Sequence, residues 1–185
     1  MMSLFRRLFG KERSNATDIH SLIKQLKKDS IQHEQVEHPL TAQQIKAFEK
    51  ETGFQAPPSF SVFLRLFGDG AYWLYGCQPV DSTSNPSWLG DLRHNAPSMM
   101  PVDGGNPISK DSLFCLMTED SNGGAWCWLT SERDADGECP LAYYGFVEKK
   151  LFYKVESFTR WLSLLVENRQ EVIRVLDTDD ELCLG

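Results

Sequence analysis

The sequence predicts an α+β fold, with helices packed on a mainly antiparallel β-sheet, and three observations predict it. Apolar residues recur at helical spacing as far as Phe67. From Ala71 they gather into short runs separated by turn residues, and an apolar stripe around Trp161 returns to helical spacing. Helices, then a strand meander, then a helix is an α+β order; a parallel α/β sheet would alternate strand and helix throughout. The 185 residues suit one domain over 17–185, preceded by a basic leader over 1–16 that is either amphipathic or flexible.

In the leader, Leu4, Phe5, Leu8 and Phe9 share one helical face opposite Arg6 and Arg7. Residues 4–9 could thus touch an anionic membrane surface, although Gly10 cuts the stripe short; a mobile segment or a packed helix are the other readings. Arg6 and Arg7 also interrupt any secretory apolar region, and no run approaches the roughly 20 apolar residues of a membrane span. The expected location is cytoplasmic.

Ile19, Leu22, Ile23 and Leu26 then predict an amphipathic helix capped by Thr17 or Asp18, fading through a polar stretch to Pro39. Thr41-Ala-Gln-Gln44 has capping-box form, Ile45 and Phe48 supply a stripe, and Gly53 suits a left-handed C-terminal position. Pro57-Pro58 breaks and restarts the chain. Phe60, Phe63, Leu64 and Phe67 predict a second short helix that Gly68-Asp-Gly70 stops.

Strands are expected at Ala71–Cys77, Leu113–Thr118, Ala125–Thr130, Leu141–Val147 and Leu151–Lys154. A hairpin signal stands at Asn122-Gly123, a turn at Asp134–Cys139, and a long irregular region at Gln78–Pro107. Ser157 caps a closing helix whose buried face is Phe158, Trp161, Leu162, Leu165 and Val166. Val172–Leu176 either continues it or forms a packed turn.

Catalytic signatures are missing. His33 and His38 are five residues apart, so on a helix they would not face one metal as the i, i+4 histidines of a zincin do. There is no Gly-x-Ser-x-Gly elbow, Walker loop or dinucleotide fingerprint. Asp134-Ala-Asp136-Gly137 lacks the regular oxygen ligands and closing glutamate of a calcium loop. The five cysteines include no Cys-x-x-Cys pair and read as free thiols in a reducing compartment. No enzyme activity, catalytic residue, metal or cofactor is expected.

Charge is the stronger signal. The net charge is −7, and residues 67–147 hold eleven carboxylates against only Arg93, Lys110 and Arg133. Such a segment repels phosphate backbones, which argues against nucleic acid, and it suits a basic protein partner; a solvated surface that aids solubility is the plain alternative. Trp73 and Trp88 border this region and either fill core or anchor a partner, whereas Trp126 and Trp128 share one strand face. The candidate partner-binding residues are Asp69, Trp73, Asp81, Trp88, Asp91, Glu119, Asp120, Asp134 and Asp136.

Phe48-Glu-Lys-Glu-Thr-Gly53-Phe-Gln-Ala-Pro57-Pro58-Ser-Phe-Ser-Val-Phe63-Leu64-Arg-Leu-Phe-Gly68-Asp-Gly70 resembles the signature of the SUKH superfamily, which includes fungal Smi/Knr cell-wall regulators and many bacterial immunity proteins. The likeness runs over about 41–166, as far as a closing helix at Glu156-Ser-Phe158-Thr-Arg-Trp161-Leu162. Pro57 replaces the usual Leu, Phe60 the frequent Tyr, and the Gln78–Pro107 insertion is long. The resemblance implies an α+β fold without catalytic residues and an immunity protein that neutralises a cognate toxin, often a nuclease. A housekeeping scaffold of the same family, membrane-apposed through its leader, is the alternative.

Overall fold

The computed structural model describes residues 18–32, 39–68, 77–79, 96–102, 105–119 and 124–167. The leader, the His33–His38 segment, Trp73, Trp88 and the acidic tail after Glu167 lie outside them. The α+β architecture is present. Among the described residues four helices, α1 (Ile19–Gln32), α2 (Ala42–Thr52), α3 (Pro58–Leu66) and α4 (Phe158–Glu167), pack on one face of a five-stranded antiparallel sheet. Its strands are β1 (Cys77–Pro79), β4 (Leu113–Glu119), β5 (Gly124–Leu129), β6 (Leu141–Gly145) and β7 (Lys150–Val155), in the order β1-β4-β5-β6-β7. A small antiparallel pair, β2 (Met99–Met100) and β3 (Ile108–Ser109), stands apart from it.

Local chemistry explains the helix ends. The Asp18 carboxylate accepts the His20 N–H at 3.2 Å, which settles the first cap in favour of Asp18, and α1 runs on to Gln32. Around α2, the Gln44 N–H donates to Thr41 Oγ1 and the Thr41 N–H to Gln44 Oε1, a complete capping box; Gly53 closes the helix at φ 70°. Ser157 Oγ accepts the Arg160 N–H at the start of α4. The buried face of α4 is broader than its stripe suggests: Ser163 and Leu164 are buried, and Val166 only half-buried.

Leu113 and Phe114 of β4 and the residues of β5 and β6 alternate between two cores. Phe114, Trp126, Trp128, Leu141, Tyr143 and Val155 meet the helices. Leu113, Ala125, Cys127, Leu129, Ala142 and Tyr144 face the opposite way, where Ala96, Met100 and Ile108 cover them. The irregular region Gln78–Pro107 therefore contains order that its turn-rich composition hides: the end of β1, the strand β2, and a segment that closes the second face. That segment also guards the sheet edge, since Leu151 N–H donates to the Pro101 carbonyl and Val102 bridges Leu151 in parallel.

β7 carries a bulge. Leu141 pairs with Val155 and Tyr143 with Phe152, so Tyr153 and Lys154 together oppose Ala142, and Tyr153 takes φ 51°. The bulge lets the consecutive residues Phe152 and Tyr153 both pack on the helix-side core, which a regular strand forbids.

Candidate functional site

The α2–α3 corner is held by a dense set of local hydrogen bonds. Glu49 serves it twice: its carbonyl accepts the Gly53 N–H at 2.9 Å, and its carboxylate accepts the Ala56 N–H at 3.0 Å. Thr52 Oγ1 donates back to the Phe48 carbonyl and accepts the Phe54 N–H, turning Phe54 inward to stack on Phe114 at 3.9 Å. The spacing Glu-x-x-x-Gly followed by Pro-Pro thus has a mechanical meaning. It sets the bend between two helices and drives an aromatic ring beneath it.

The β5–β6 connector locks onto this corner. Ser59 N–H and Oγ–H donate to the two carboxylate oxygens of Glu138 at 2.8 and 2.7 Å, placing an anion on the exposed amides at the start of α3. Asp134 shapes the connector itself, its Oδ1 accepting the N–H groups of Asp136 and Glu138. Arg133 extends its guanidinium across the gap and donates to the carbonyls of Gln55 and Gly137. Glu132 pairs with Lys154 on β7.

Between corner and connector lies a cleft of about 260 Å³. Its walls include Thr52, Phe54, Asp111, Leu113, Phe114 and Arg133. Phe54, Leu113 and Phe114 are themselves buried and leave it little apolar surface, while Arg133 and Asp111 bring one charge of each sign.

The acidic residues expected to meet a partner are distributed differently. Asp69, Trp73, Asp81, Trp88, Asp91 and Asp120 lie outside the described residues. Glu119 ends β4 opposite Cys77. Asp134 and Asp136 are exposed on the connector at the other end of the β4–β5 hairpin, whose register pairs Leu113 with Leu129 there and Thr118 with Ala125 near Glu119. The fold thus keeps Glu119 apart from the Asp134–Asp136 turn. Asp134 has a building role in its turn, while the Asp136 carboxylate makes no hydrogen bond.

Arg133 is the cleft residue that charge counting passed over, although it is one of only three cations in the acidic stretch, and that isolation was its signal. Among the described residues, no three His, Cys, Asp or Glu side chains converge as a metal site would, and no helix is long and apolar enough to cross a membrane. Cys127 and Cys139 are buried thiols, and Trp126, Trp128 and Trp161 are core residues. No family model and no curated protein matches this chain.

Proposed function

We propose that this chain is a non-catalytic protein-binding domain of the SUKH kind, acting as an immunity protein against a cognate toxin. The observation that carries the reading is the corner from Phe48 to Gly68. The Glu, Gly and Pro positions that resemble the family signature each have a defined duty there, and they serve the bend, not a reaction. The corner sits on an antiparallel sheet as such a domain requires.

Charge supports a basic partner. Eleven carboxylates against three cations over 67–147 would attract a cationic protein, such as a nuclease toxin, and speed its encounter. Asp136 is the described member of this set best suited to a test, because its carboxylate is exposed and has no fold-building bond to lose.

A tagged copy expressed in its native host should recover a basic toxin, and co-expression with that toxin should restore growth. With the purified pair, Asp136→Lys should slow association several-fold at low salt and much less at high salt, leaving dissociation nearly unchanged. Recovery of no toxin, together with no protection from the toxins encoded beside the gene, would set the reading aside.

A further inference from the structure

The β4–β5 register sets Cys115 directly opposite Cys127. Directly opposite residues of an antiparallel pair have Cα atoms about 4.5–5.5 Å apart, inside the roughly 4.4–6.8 Å that a disulfide spans. Their Cβ atoms stand about 4.5–5.5 Å apart where a disulfide takes about 3.5–4.5 Å, so the strands must close by up to about 1 Å. A bulge lies beside the pair. The ladder shifts between Cys115 and Met117, which leaves Leu116 as the extra residue of β4 and lets that strand twist next to Cys115.

No other described cysteine is placed this way. Cys77 pairs with Glu119 at the far end of β4. Cys139 belongs to the helix-side core, and Cys127 to the core on the opposite face. Cys127 is a buried thiol whose Sγ donates to the Ala125 carbonyl at 3.6 Å. Over it lies the covering segment and not the helix layer. That segment rests on a pair of two-residue strands and on the contacts of Pro101 and Val102 with Leu151, so it opens at lower cost than the five-stranded sheet. A small oxidant reaches Cys127 through that opening.

We propose that Cys115 and Cys127 form an oxidative modification site, a thiol pair that hydrogen peroxide converts to an intramolecular disulfide. One sulfur attacks a peroxide oxygen; the O–O bond breaks, water leaves, and a sulfenic acid remains. The second sulfur displaces the hydroxyl of that sulfenic acid, which forms the S–S bond and releases a second water. The two thiols give up two electrons and two protons, and the peroxide ends as two waters. A small dithiol reopens the bond by exchange. The bridge ties β5 to the strand that ends at Glu119. The site is independent of the protein-binding reading, so failure of either leaves the other intact.

The test treats the reduced full chain with hydrogen peroxide, blocks the remaining thiols with iodoacetamide, and maps the peptides. Trypsin keeps both cysteines in one peptide, Asp111–Arg133, which should lose two hydrogen atoms and take no label. Cleavage after Glu119 should leave its halves joined until dithiothreitol is added. Cys127 stands equally far along the chain from Cys115 and from Cys139, so in urea the two pairings should form about equally. In the folded chain the Cys115–Cys127 bridge should prevail at least about ten-fold, because Cys139 lies in the opposite core. Oxidation should also raise the urea midpoint of the parent, and Cys115→Ala should abolish both the bridge and that rise. Cys77→Ser should change neither. The proposal is overturned if peroxide leaves Asp111–Arg133 fully labelled, if a Cys127–Cys139 or intermolecular bridge prevails, or if the Cys115–Cys127 bridge forms only once urea has unfolded the chain.

Discussion

The two faces of the main sheet are built from different side chains and hold different things. Toward the helices it presents the rings of Phe114, Trp126, Trp128 and Tyr143; on the other side it presents Ala125, Cys127 and Ala142 between Leu113, Leu129 and Leu151. Large rings fill the wide gap that a helix layer needs. Small residues let a two-residue strand and a short covering segment come close. Layer thickness is thus set by the volume alternating along β5, while on β6 Tyr144 gives the second face a ring of its own.

The helix face should be the more sensitive to truncation. Trp128 is fully buried and touches Phe54, Phe60 and Phe158, so Trp128→Ala should cost about 3–5 kcal/mol, read as a lower urea midpoint. Trp128→Phe should cost far less than the lost volume suggests. The indole Nε1 of Trp128 has no hydrogen-bond partner among the described residues, and removing an unpaired buried donor returns about 1–3 kcal/mol. Equal losses for the two variants would mean that the N–H is satisfied.

On the thinner side, Leu151→Ala should cost about 2–3 kcal/mol, at the low end for a buried leucine because the covering segment around Met100 and Val102 can settle into the space. A loss matching that of Trp128→Ala would mean that the covering segment is as rigid as the helix layer, and the contrast between faces would fail.

The link between the helix layer and the connector comes next in size. Glu138→Ala removes both acceptors of Ser59 and the anion at the start of α3, at an expected cost of about 1–2 kcal/mol. Ser59→Ala removes only the hydroxyl bond and should cost about half as much. If the two variants lose the same stability, the amide contact contributes nothing and the hydroxyl carries the link alone.

The helix face was legible in the sequence and the other face was not, for a physical reason. Caps, breakers and period-3.6 stripes are local signals, and Thr41, Gly53, Pro58, Ser157 and the Phe60–Phe67 stripe each act within a few residues of themselves. The covering of the second face joins Met100 and Ile108 to Cys127 and Ala142, contacts that no local pattern announces. The cleft was illegible for the same reason. Arg133, Asp111 and Phe54 come together only because β4 begins and β5 ends beside the α2–α3 corner. Acidity was read correctly as composition, but sign alone did not reveal that Glu138 caps a helix and Asp134 builds its own turn.

The smallest expected effect separates the faces by pH. Cys139, on the helix side, has its thiol pushed above the ordinary 9.0 chiefly by burial, with Glu138 and Asp134 adding to the rise and Arg133 opposing it. Tyr144, on the other side, has its phenol raised above the ordinary 10.0 by burial, with Cys127 adding. Both groups are neutral when protonated, so the folded chain keeps these protons to higher pH than the unfolded chain does. Their contributions to stability are full below the unfolded values and are lost as pH rises through the raised folded ones. The urea midpoint should therefore hold from neutrality to about pH 9 with respect to these groups, then fall. Cys139→Ala should remove the earlier part of the fall and Tyr144→Phe the later part. If Cys139→Ala declines as steeply and as early as the parent, the thiol is not the source, and the alkaline limit lies outside both cores.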